Sequence, residues 1–177
     1  MNNAQELLER LKQKISEKYD KLPEHIILCL GNPIMGDDVV GYIVAKKLKE
    51  KGLRKNLVYA GVNPLDFLRK LRDSDAKLII VVDAIQAQLQ PGEIIVDWLE
   101  NIKEAETLTT THSISLETLK RLVRKEMLVV GVQGSIYEIG ARPTEPTAKA
   151  AATIAEALET LIKQEQADTH RKSSNPK

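Results

Sequence analysis

Leu8, Leu11, Ile15, Tyr19 and Leu22 recur at steps of three and four among charged residues, the spacing of one apolar face on an amphipathic helix, and Pro23 closes the pattern. His25-Ile-Ile-Leu-Cys-Leu30 then runs apolar without alternation, as a strand covered on both faces of a parallel sheet does, and Gly31 and Asn32 stop it. From Asp38 the helical period returns, with Val40, Ile43, Val44 and Leu48 on the buried face and Gly52 as a C-terminal cap. The order repeats as a strand over 57–62, a short helix over 64–71 and a strand over 77–82. Strands alternating with helices in this way predict a parallel sheet between helical layers.

Further along, Gln90-Pro-Gly92 is a turn signal, and 93–98 reads as a short strand on one edge of the sheet, where an antiparallel direction is open to it. A helix starting near Ser115, capped by Ser113 or Ser115, turns Leu116, Leu119, Leu122 and Val123 inward, and an apolar strand follows at 127–132. A loop over 134–143 leads to an alanine-rich helix over 144–163, after which ADTHRKSSNPK has nothing to bury. The predicted fold class is therefore α/β, a three-layer α/β/α arrangement with a mostly parallel sheet of about five strands and one antiparallel edge strand. Residues 1–163 form a single domain, with 1–22 as an extra N-terminal helix on its outside, and 164–177 are expected to be a disordered tail.

Composition narrows the function classes. A chain of 177 residues that is 42% hydrophobic can bury one substantial core. Its 26 basic and 25 acidic residues leave a net charge of +1, so no global field favours nucleic acid or an anionic membrane. With Cys29 alone, neither an intrachain disulfide nor a thiolate zinc site can be assembled. The charged N-terminus lacks a signal peptide's apolar stretch, and runs such as IILCL and LIIVV are too short to span a bilayer, so membrane insertion is not expected and a cytoplasmic setting is.

In an open α/β sheet, ligands gather outside the carboxyl ends of the strands, where loops converge and helix N-termini point their N–H groups. The groups expected there are Asp37 and Asp38 after the first strand, Asp83 after the third, His112 before the helix at Ser115, and the amide of Gln133 after the last strand. Two carboxylates and an imidazole form an N/O ligand set for a borderline divalent cation such as nickel or zinc, able to polarise a carbonyl or activate water. Plainer roles compete with that reading: Asp37 and Asp38 can cap the helix they begin, Asp83 can bond its own turn, and His112 can be an ordinary loop histidine. His25 and His170 sit at a strand start and in the tail. Cys29 lies inside an apolar strand, where burial raises a thiol pKa, and serines 113, 115 and 135 lack the G-x-S-x-G elbow. The dinucleotide and P-loop fingerprints are also absent.

Leu30-Gly-Asn-Pro-Ile-Met-Gly-Asp-Asp38 with Gly41 resembles the opening motif of the hydrogenase maturation proteases, G-N-x-x-x-x-D-D/E-x-x-G. Val82-Asp-Ala84 with Pro91-Gly-Glu93, then Thr110-Thr-His-Ser113 with Leu116, then Gly131-Val-Gln133, follow in that family's order and approximate spacing. The resemblance covers about 25–161 and implies an endopeptidase that trims the C-terminal extension from the precursor of the NiFe hydrogenase large subunit after nickel insertion. It implies Asp38, Asp83 and His112 as metal-contacting residues, with Asp38 and Asp83 as the catalytic carboxylates of an aspartyl-type site. The metal implied is nickel carried by the substrate, with zinc or cadmium able to stand in its place, and no organic cofactor is implied. Asp37 is left as the helix cap. Val39 replaces the Gly of many members, Gly134 replaces a frequent Pro, and Asp38 is one methylene shorter than the Glu of some members. The G-D-D and T-T-H forms look closest to proteases serving formate-hydrogenlyase-type or membrane-bound hydrogenases.

Two other readings compete with it. A non-proteolytic, nickel-dependent chaperone or recognition protein would hold the large subunit through the same ligands and release it uncut. A small-ligand domain would hold an anion at the turn after the first strand and the N-terminus of the helix that follows, leaving Asp83 and His112 incidental; the charges of Asp37 and Asp38 argue against that.

Overall fold

The computed structural model describes residues 3–102 and 113–173. Helix α1 (Ala4–Ser16) opens on Asn3, whose side-chain oxygen accepts a hydrogen bond from Glu6 N at 2.7 Å. It ends six residues before the predicted Leu22, yet Tyr19 and Leu22 still face the core from the irregular segment that follows. The remaining elements are β1 (His25–Leu30), α2 (Val40–Glu50), β2 (Leu57–Gly61), α3 (Leu68–Asp73), β3 (Leu78–Ile85), β4 (Ile94–Trp98), α4 (Leu116–Val123), β5 (Glu126–Gln133) and α5 (Glu145–Ser173).

The sheet order is β2-β1-β3-β5-β4. Strands β1, β2, β3 and β5 run parallel, and β4 pairs antiparallel with β5 along the edge, the direction left open to it above. Period-two alternation divides each strand between two cores. Ile27, Cys29, Ile80, Val82, Leu128 and Val130 face a layer made of α1, α2 and α5. Ile26, Leu28, Ile79, Val81, Met127 and Val129 face α3 and α4. Helices thus cover both faces, which is why the central strands are apolar throughout.

Two further features differ from expectation. Leu122, expected inside, is exposed, because Leu116, Leu119 and Val123 already fill the inner face of α4. Helix α5 continues past Lys163 through Ser173, so 164–173 is helical where composition predicts a disordered tail. Gln, Glu, Ala and Lys are good helix formers and carry the helix on once its apolar face has docked. Ser115 is the N-cap of α4, its Oγ accepting from Thr118 N at 3.2 Å. Among the described residues, no helix is long and apolar enough to cross a membrane.

The segment after α1 is riveted to the edge of the sheet. The Trp98 indole N–H donates to Glu17 at 2.8 Å, and the Lys18 ammonium lies 4.2 Å from the Trp98 ring centroid. Lys18 and Lys120 both pair with Glu100 and Glu126. From α1 itself, Arg10 donates to the Ile94 carbonyl of β4 at 3.0 Å.

Candidate active site

From β1 the chain returns to one side to form β2 and to the other to form β3, so the topological switch point lies between β1 and β3. Ligand sites in open α/β sheets fall in the crevice outside the strand ends at such a point. After β1 the chain makes a tight turn and a short 3-10 helix, Gly36–Val39, before α2. Gly41 allows α2 to rest on the strand end, because a Cβ there would sit 1.9 Å from the Leu30 carbonyl oxygen. That seating fixes the 3-10 helix, and Asp38 on it, just beyond the end of β1.

Asp38 is fully buried, and its Oδ2 accepts a hydrogen bond from Asn32 N at 2.9 Å. Asp83 is almost as buried, but it lies inside β3, which continues to Ile85 beyond the predicted end of that strand. It pairs with Gly131 and, by alternation, faces the α3 and α4 layer with Ile79 and Val81. Its Oδ1 accepts from Ala84 N at 2.8 Å, the local backbone bond that the plainer reading anticipates. The 3-10 helix carrying Asp38 packs directly on β3.

Tyr137 senses all three carboxylates. Burial pushes its hydroxyl pKa up, and the negative charges of Asp37, then Asp38 and Asp83, push it the same way. Its hydroxyl donates to the Ile85 carbonyl at 3.0 Å. On the other flank, Tyr59 donates to the Gly31 carbonyl at 3.0 Å and is raised by burial, then by Tyr42 and Asp38. Asn32, Tyr59 and Tyr137 were not singled out by sequence reasoning, although Asn32 lies within the opening motif. The scarcity of aromatic residues, 3% of the chain, is the only hint that the tyrosines have particular work.

His112 lies outside the described residues. Ser113, next in the chain, is held on the loop after β2, its N–H donating to Val62 O at 3.1 Å and its hydroxyl to Asn63 Oδ1 at 2.6 Å. Among the described residues, no group of three His, Cys, Asp or Glu side chains could hold a metal ion.

Asp37 is not a helix cap. The N-cap positions of the 3-10 helix and of α2 are Met35 and Val39, and neither uses a side-chain bond. The fully buried Asp37 carboxylate turns instead to the loop before α5. Burial would raise its pKa, but hydrogen bonds from the backbone of Thr144, Ser135 and Ile136 hold it below the usual carboxylate value. The Gln133 amide also supports a loop, its Oε1 accepting from Ala87 N at 2.8 Å and its Nε2 donating to Gly134 O at 2.7 Å. Cys29 is core, its thiol raised by burial. The serine hydroxyls are committed to Asn63, to the α4 cap and to Asp37.

Fold and site define a class: a doubly wound α/β domain with a buried carboxylate pair at its switch point. Within that class, the chain belongs to the hydrogenase maturation protease family, whose model matches residues 42–164 and so spans Asp83 and His112. A putative hydrogenase maturation protease of Methanocaldococcus jannaschii is 38% identical over 125 residues, covering 66% of this chain and 80% of that one. The hydrogenase 3 maturation protease of Escherichia coli K12 is 29% identical over 138 residues, covering 76% and 88%. In structure, the chain resembles a NiFe hydrogenase maturation protease from Thermococcus kodakarensis, with a TM-score of 0.71 at 24% identity, covering 87% and 99%. It also resembles the solution structure of an endopeptidase from Escherichia coli, with a TM-score of 0.66 at 28% identity, covering 75% and 87%.

Proposed function

We propose that this protein removes the C-terminal extension of a NiFe hydrogenase large-subunit precursor after nickel has been inserted. The observation that carries this reading is the two buried carboxylates at the switch point of a maturation-protease fold, Asp38 on the 3-10 helix after β1 and Asp83 on the neighbouring strand β3, against which that helix packs. With His112 they make an N/O ligand set suited to the nickel that a loaded precursor brings. A precursor without nickel lacks that anchor, so its scissile bond is not seated.

Hydrolysis adds water across the peptide C–N bond, leaving a new carboxyl terminus on the large subunit and a free amine on the released peptide. The carboxylates provide the base that takes the water proton, which the departing amine then receives. Membership of a protease family supports this reading over that of a chaperone that releases its client uncut.

The test incubates the protein with nickel-loaded and nickel-free precursor and weighs the large subunit by mass spectrometry. Loss of the C-terminal peptide from loaded precursor alone is expected. An unchanged mass with stable association would establish the chaperone instead. Asp38→Asn, Asp83→Asn and His112→Ala are each expected to lower the cleavage rate at least about 100-fold with folding preserved. Intact processing by both Asp83→Asn and His112→Ala would refute the assigned site.

A further inference from the structure

The loop between β5 and α5 has no regular structure, yet one side chain grips it near both ends. Asp37 Oδ2 accepts from Ser135 N at 2.8 Å, from Ile136 N at 3.2 Å and from Ser135 Oγ at 3.2 Å. Asp37 Oδ1 accepts from Thr144 N at 2.7 Å and from Thr144 Oγ1 at 3.0 Å. Backbone bonds tighten the same junction: Asp37 N donates to Ile136 O, and Gly140 N to Ile34 O, both at 2.7 Å. Gly36, at φ +53°, makes the approach possible, since a Cβ there would lie 2.4 Å from Ile136 O.

A buried carboxylate bonded to this many N–H and O–H donors is a strong, geometrically specific anchor. What it anchors carries apolar side chains open to solvent among polar ones. Ile139 is 79% exposed and Ile136 38%, and Ile34, on the first turn beside them, is 57% exposed. Exposed β-branched residues on a loop with no freedom to fold them away mark a surface built for contact. Because Asp37 and Asp38 are consecutive in one short helix, the element that presents Asp38 also sets the position of this loop.

We propose that Asp37 is a positioning residue, which fixes the 134–144 loop as the wall of the cleft beside Asp38 so that its isoleucines meet the polypeptide substrate. The inference rests on the proteolytic reading above. Asp37 itself touches no reacting atom. Its replacement by asparagine keeps the shape but turns an NH2 group toward N–H donors, freeing one end of the loop.

The experiment compares wild type and Asp37→Asn for cleavage of nickel-loaded precursor and for amide hydrogen exchange. Expected are a KM raised about tenfold, a kcat within about twofold of wild type, and faster exchange confined to 134–144. A fall in kcat at unchanged KM, or unchanged exchange in the loop, would overturn the proposal. Should Asp37→Asn fail to fold, Thr144→Val with Ser135→Ala removes only the hydroxyl donors; about a threefold rise in KM with faster loop exchange supports the proposal, and neither change refutes it. A wild-type protein that leaves loaded precursor uncut would defeat the proteolytic reading, while the exchange comparison would still decide whether Asp37 holds the loop.

Discussion

Gly41 stands where the first turn of α2 rests on the carbonyl end of β1. A methyl group there would meet a backbone oxygen at 1.9 Å, and backbone cannot rotate away as a side chain can. Gly41→Ala is therefore expected to destabilise the fold by about 3 kcal/mol in urea titration, despite alanine's better helix propensity. An unchanged midpoint would show that α2 does not seat as closely as described. At this scale the sequence was readable for residues whose partners are local or set by strand order. Asp38 and Asp83 fall at the carboxyl edge wherever a parallel sheet is drawn. Asp37 was misread because its partners lie 98 to 107 residues downstream, in a loop with no pattern of its own.

Among elements, the apolar runs located β1, β3 and β5, since burial on two faces leaves no polar alternation to confuse, while the turn at Gln90-Pro-Gly92 marked the edge strand β4, whose burial alternates. Helix ends were less legible. Residues after Ser16 keep the apolar spacing of α1, but Trp98, Glu100 and Glu126 hold them in a different path. That clasp is acid-sensitive. Burial works to raise the Glu100 carboxyl, yet hydrogen bonds from Lys120 and Lys18 bring it down to about 2 from the usual 4.5. Because the folded value is the lower one, the stabilisation is complete above about pH 4.5 and is lost as pH falls toward 2. Fluorescence of Trp98, the sole tryptophan, is expected to shift to the red across that window and to do so at higher pH in Lys120→Met. Identical titrations for the two proteins would argue against the clasp.

For the whole molecule, the two poles of the sheet differ. At the carboxyl pole, Ile34, Val62, Leu65, Leu89, Ile136 and Ile139 are exposed on the loops around Asp38 and Asp83, whereas Leu122 is exposed toward the far end of α4. An apolar rim around a carboxylate centre suits a protein substrate better than a small polar one. Ile139→Glu is expected to raise KM for loaded precursor about tenfold without moving Tm, and Leu122→Glu to leave both unchanged. Equal effects from the two substitutions would mean that the rim has no special part in recognition.

The reach of Arg10 to the Ile94 carbonyl has a meaning beyond docking one helix. Glu93 O already accepts from Gln133 N, so alternation turns the peptide groups of Ile94 away from β5, onto a border of the sheet that no strand covers among the described residues. Open borders recruit strands from other molecules, a standing route to aggregation. A guanidinium parked there, with a charged helix behind it, occupies an acceptor that an incoming strand would need. The N-terminal helix thus acts as a selvedge, finishing the cloth at the side where it would otherwise fray into its neighbours.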